Sequence, residues 1–139
     1  MISLIFLGYS VNQNNRILQA NNDNFLYELQ DSHSADIVDN PAIIPIHTEL
    51  FNDEELTQIE GETYAWHLFR FLDGWEMAFN RYRDGMLDQD TWENWDRSLG
   101  IEITVPPLGL PREIWDNPYT KDTYGPEFAQ HVDAAYSLR

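Results

Sequence analysis

Residues 81–95 read Arg81-Tyr82-Arg83-Asp84-Gly85-Met86-Leu87-Asp88-Gln89-Asp90-Thr91-Trp92-Glu93-Asn94-Trp95, and they fix a corner between two helices. An aromatic-rich helix runs in from the N-terminal side and Gly85 stops it, because glycine takes the left-handed C′ conformation without a Cβ penalty. Asp88 or Asp90 then caps a second helix, and Asp90 with Glu93 has capping-box spacing. Trp92, Trp95 and Leu99 fall on one face of that helix, and Gly100 is expected to close it. A chain carrying this corner is committed to helix-on-helix packing.

The helix entering the corner is predicted from Asp53 to about Asp84. Asn52 reads as its N-cap, with Asp53, Glu54 and Glu55 in the first turn, where carboxylates complement the helix dipole. Leu68, Leu72, Trp75, Phe79 and Tyr82 step by four, three, four and three along one face. Leu56, Ile59, Thr63 and Trp66 begin that stripe, while Phe69 and Phe71 widen it. So broad an apolar surface belongs to the central helix of a small bundle. Gly74 is the weak point of the run, at about 1 kcal/mol relative to alanine.

Upstream, Leu4, Val11, Leu18 and Phe25 recur one heptad apart through a polar stretch holding Asn12, Asn14, Asn15, Asn21, Asn22 and Asn24. Leu29 extends the row. A stripe this narrow suits one neighbour, as a coiled-coil seam or a contact with another protein. The spacing predicts a helix over 3–31. The apolar run of residues 1–11 is shorter than the roughly 20 residues a membrane span requires, and it lacks the basic start and small-residue cleavage site of a signal peptide. Residues 32–51, punctuated by Ser32, Ser34, Asn40, Pro41 and Pro45, are expected to form loop and short helical turns. Residues 101–107 alternate like a strand but end in Pro106 and Pro107, so they read as an extended crossing segment. Pro111 and Pro126 each open a helix, the last one turning Phe128, Val132 and Ala135 inward. The expected fold is all-α: a small helical bundle with a long N-terminal helix, a central aromatic-rich helix and a proline-rich crossing. Residues 1–31 form the apolar, then Asn/Gln-rich, helix and residues 32–139 the acidic helical domain.

Charge separates these two parts. The net charge is −16, yet Arg16 is the only charged side chain in residues 1–22, so the remainder carries −17. Such a body repels nucleic acid and anionic headgroups and attracts basic partners. General solubility or salt adaptation explains the same excess. The chain has no cysteine, which excludes disulfides, cysteine-ligated metals and thiol catalysis.

The pattern Phe69…Trp75-Glu76…Tyr82-Arg83-Asp84-Gly85-Met86-Leu87-Asp88…Trp92…Trp95…Leu99, followed by a loop, an Ile-Trp pair and a short Phe-containing helix, resembles a family of uncharacterised small bacterial helical proteins. Members usually carry a transmembrane helix ahead of a Gln/Asn-rich helix. The resemblance covers nearly the whole chain, with its specific part at residues 69–99. It implies architecture and supplies no activity, cofactor or site residue. This sequence departs from the pattern at its start, where about half a transmembrane segment is present.

Chemistry-bearing patterns are sparse. A di-iron bundle needs Glu-x-x-His on two helices; the nearest pairs here are His33 with Asp36 and Glu127 with His131, spacings that 24 acidic residues produce by chance. No calcium loop, phosphate loop, dinucleotide fingerprint or nucleophile elbow occurs. On the central helix, Glu76 with Arg83 and Arg81 with Asp84 read as structural ion pairs. A pocket holding His67 or His131 beside a buried carboxylate would favour an enzyme. The aromatic residues between Tyr64 and Trp95 read as core, with exposed tryptophans as partner anchors.

The expectation is therefore a non-enzymatic interaction or accessory subunit. It has no catalytic, metal or cofactor-binding residues, and it docks through Leu4, Val11, Leu18, Phe25 and Leu29. The occupant is a protein partner or a second copy, with membrane contact by residues 1–11 and no nucleic acid. Localisation follows as membrane-associated with a cytoplasmic body, or else soluble and cytoplasmic. An acidic nucleic-acid mimic that blocks a basic protein is the alternative, and an enzyme the third reading.

Overall fold

A computed structural model describes the backbone of residues 2–138 and every side chain from 40 to 138. Earlier in the chain it describes the side chains of residues 10–18, 20, 21, 24–29, 31, 35 and 39. The described residues are all-α. The helices are α1 (Ile2–Asp39), α2 (Ile43–Phe51), α3 (Gln58–Arg83), α4 (Gln89–Thr104), the single turns α5 (Arg112–Trp115) and α6 (Pro118–Lys121), and α7 (Pro126–Ser137).

The central helix α3 supplies the core, burying Tyr64, Leu68, Phe71, Leu72, Trp75 and Ala78. Ile43 and Ile46 of α2, Trp92, Leu99 and Ile103 of α4, Trp115 of α5, Phe128 and Val132 of α7, and Leu26 of α1 complete it. A fully buried side chain of this size contributes about 1.5–3 kcal/mol. Trp75 and Phe128 meet edge to face, with ring centroids 5.5 Å apart.

At the corner, Gly85 has φ +73°. Its N–H donates to Tyr82 O (2.9 Å) and the Met86 N–H donates to Arg81 O (2.8 Å), the two bonds of a Schellman motif. Leu87 is buried behind the turn. Asp88, not Asp90, caps α4: its carboxylate accepts from the Thr91 N–H at 2.9 Å.

Several boundaries differ from the sequence reading. The first helix continues to Asp39 and does not stop near residue 31. Residues 43–51 form a full helix, because Ile43, Ile46 and Leu50 share a face that packs on the core. Asn52 is therefore the C-cap of α2 and not the start of α3. Thr57 caps α3 through a complete capping box with Glu60. Helix α4 passes through Gly100 to Thr104, which keeps Ile103 fully buried. The crossing segment lies four residues later than expected, at residues 105–111, and holds a cis Pro106–Pro107 bond. Two hydroxyls pin that loop: Tyr64 donates to Leu108 O (2.6 Å) and Tyr136 to Leu110 O (2.7 Å).

Candidate docking surface

Helix α1 lies antiparallel to α3. Phe25 sits under the Arg81 guanidinium near the C-terminal end of α3, with Cζ 3.8 Å from the ring centroid. At the other end, Asn40 and Ile43 share an open cleft of about 270 Å³ with Thr63, Trp66, His67 and Arg70. Since Phe25 faces a residue two short of the end of α3, the part of α1 before it runs past the corner. Those residues form an arm about 33 Å long at 1.5 Å per residue.

Every described side chain from Ser10 to Asn24 is exposed. Val11, Ile17 and Leu18 each keep about half of their surface in solvent, at 51, 53 and 52%. The heptad row thus divides. Val11 and Leu18 stand free on the arm, whereas Phe25 packs on the body beside the buried Leu26, and Leu29 is half-buried. The side chain of Leu4 lies outside the described residues. Ile17, absent from the heptad row, widens the exposed apolar strip; its place directly before Leu18 was the signal for it.

The corner residues near the arm's root are also partly apolar at the surface. Tyr82 stacks on Trp92 at 5.2 Å and 9°, leaving its outer face to solvent, and Met86 is exposed. A second exposed row runs along the outer face of α3, where Ile59, Trp66 and Met77 alternate with Glu62, Arg70 and Asp73.

Two polar centres deserve comparison with the catalytic reading. In the first, Asp96 Oδ1 accepts from Trp75 Nε1 at 2.7 Å and meets His131 Nε2 at 2.5 Å. The imidazole is enclosed by the rings of Trp75, Phe79 and Trp92, with centroids 5.2 to 5.6 Å away. In the second, Asp133 accepts from Trp115 Nε1 (2.9 Å) and from Lys121 Nζ (2.6 Å), with Arg112 at 3.4 Å. Burial pushes the Asp133 carboxyl up, but the Lys121 and Trp115 hydrogen bonds and the nearby cations outweigh it and hold its pKa below the usual value. Both centres join an indole N–H to a carboxylate and then to a nitrogen base. They tie α3 and α4 to α7, and the short turns to α7.

The remaining polar groups of α3 also hold helices together. Glu76 accepts from the Gly125 N–H (2.7 Å) and Asp73 from Tyr124 OH (3.1 Å), anchoring the start of α7. Arg83, expected on Glu76, instead reaches Asp84 and Glu127. Glu127 is bound to Arg83, while the side chains of His33 and Asp36 lie outside the described residues. Among the described residues no group of three or more His, Asp or Glu is placed to hold a metal ion, and no helix is long and apolar enough to cross a membrane.

Comparison with protein-family models, curated proteins and solved structures finds no match.

Proposed function

We propose that the protein is a non-enzymatic interaction subunit whose N-terminal arm docks on an apolar helical surface while the acidic body remains in solvent. One observation carries this reading: the arm projects past the body with Val11, Ile17 and Leu18 exposed. The asparagines lower the arm's helix propensity, and in proteins most helical stability comes from the packing of an apolar face. The arm gains its stability from whatever covers it.

The body's polar groups favour the same reading. Asp96 and His131, the pair that comes nearest to an acid–base site, are spent on Trp75 and on each other, inside an aromatic enclosure. Glu60, Asp73, Glu76, Asp88 and Asp133 likewise accept hydrogen bonds that hold the fold. From Val11 to Phe25 a helical protein surface suits the arm better than lipid, since Asn12, Asn14, Asn15, Asn21, Asn22 and Asn24 flank its apolar strip there.

Fractionation of the full-length chain tests the proposal. Association with a protein complex, lost on the Leu18→Asp substitution, is the expected result. A chain that stays a soluble monomer in its native extract contradicts docking, and recovery with lipid alone would exchange the protein surface for a membrane one.

A further inference from the structure

We propose that the cleft between α3 and the α1–α2 turn binds a small organic anion, a flat apolar ring bearing one carboxylate. The ring lies against Trp66 and Ile43, and the carboxylate meets Arg70. The proposal does not rest on the docking reading, because the cleft lies along the first half of α3 and the arm leaves the body near its end. Three observations carry it.

The first is how the cleft is built. Thr63, Trp66, His67 and Arg70 step by three, one and three, so α3 presents them as one strip. The turn between α1 and α2 closes the other side. There Asn40 O accepts from the Ile43 N–H at 3.1 Å, which sets Asn40 and the fully buried Ile43 opposite that strip. His67 forms the floor: it is 7% exposed, and Phe71 meets its imidazole edge to face at 4.9 Å. Trp66 forms the rim: it is 71% exposed, and Phe69 steadies it edge to face at 6.1 Å.

The second is the chemistry of the lining. The chain holds 24 acidic residues, yet none lines the cleft. Asn40, Trp66, His67 and Arg70 all carry N–H donors on their side chains, and Arg70 adds a permanent positive charge. His67 and Arg70 also have contacts within the chain, which hold them in place. A guanidinium has five N–H groups, more than one partner takes up, and its planar fork matches a carboxylate. One cation answers one negative charge. A dianionic phosphate would stay under-neutralised in a chain of net charge −16. With no carboxylate beside His67 in the lining, the cleft has groups to bind and orient a ligand and no acid–base pair to transform it.

The third is size. The cleft measures about 270 Å³. An apolar cavity of about 150 Å³ takes up benzene, whereas drug-sized ligands occupy about 300–1,000 Å³. The space therefore suits one ring with a short polar group. The exposed indole of Trp66 supplies a flat face on which such a ring stacks with an offset.

Benzoate and its neutral isostere benzamide test the proposal on the isotope-labelled full-length chain at physiological ionic strength. Benzoate is expected to shift the Trp66 indole and Arg70 side-chain N–H resonances saturably, at about millimolar concentration. Benzamide is expected to bind at least about tenfold more weakly, since it lacks the charge that Arg70 reads. Arg70→Gln is expected to bring benzoate down to the benzamide level, and Trp66→Ala to weaken both ligands alike. Equal affinity of the two ligands for the unmodified chain would overturn the proposal, and that comparison needs no variant to fold. Shifts that never saturate, or that leave Trp66 unmoved while other arginines respond, overturn it as well. So does full benzoate affinity in either variant.

Discussion

The guanidinium of Arg81 lies over the ring of Phe25, 3.8 Å from its centroid, and this contact marks where α1 stops belonging to the body and becomes an arm. Phe25 and Leu26 are the last packed residues before the exposed stretch that ends at Asn24. A cation over an aromatic face contributes about 0.5–2 kcal/mol, and the partial burial of the phenyl ring adds to it. Phe25→Ala is expected to lower the unfolding free energy by about 1–3 kcal/mol in chemical denaturation. An unchanged midpoint would show that the clasp is decorative.

The two loop glycines separate backbone strain from crowding. A Cβ at Gly85 meets nothing within 4 Å, so Gly85→Ala costs only the left-handed conformation, about 1–2 kcal/mol. At Gly109 a Cβ would stand 2.6 Å from Ile103 O and 2.7 Å from Val105 N, both backbone atoms. Gly109→Ala is therefore expected to be the more damaging of the two, by displacing the loop that Tyr64 and Tyr136 pin. Thermal unfolding of both variants ranks them, and a milder Gly109 variant would contradict the loop geometry.

Why the Gly85 corner was legible and its surroundings were not follows from the range of the forces. Glycine at C′ and aspartate at the N-cap act within five residues, and the sequence displays them openly. The choice of Asp88 over Asp90 already depends on Thr91. Gly100 misled for the opposite reason: burying Ile103 against the core outweighs the helix propensity lost at one glycine, a tertiary effect that no local pattern displays. Asn52 resembles an N-cap by composition, yet the neighbouring Ile43, Ile46 and Leu50 make it the end of a helix. The Thr57–Glu60 capping box has the same three-residue spacing as Asn52 with Glu55, so spacing alone does not choose between them. As for the arm, the heptad row was visible, but its division between Leu18 and Phe25 depends on where α3 ends.

Asp96 binds two donors with one oxygen, and the fully buried Trp75 indole depends on it. Asp96→Ala leaves that N–H without its acceptor, a loss of about 1–3 kcal/mol. Asp96→Asn retains a carbonyl oxygen and is expected to cost clearly less. Equal losses in denaturant melts would show that charge, not hydrogen bonding, holds the centre.

Burial holds His47 below its ordinary value of 6.5, against the opposing pull of Glu102. The unfolded chain therefore takes up this proton first as pH falls. Stability from the neutral imidazole is complete above about pH 6.5 and declines from there down through the lower folded value. His47→Gln is expected to flatten this limb in unfolding measurements made across the range; an identical pH slope in the variant would assign the effect to other groups.

The account turns on the arm being a docking element that the body does not need. The double substitution Val11→Asp and Leu18→Asp tests this in one protein. Both positions are solvent-exposed, so the unfolding midpoint of the body is expected to stay within about 0.5 kcal/mol of the parent. Association, read by sedimentation and by co-fractionation from native extract, is expected to disappear. Retained association, or a destabilised body with association intact, would contradict the account.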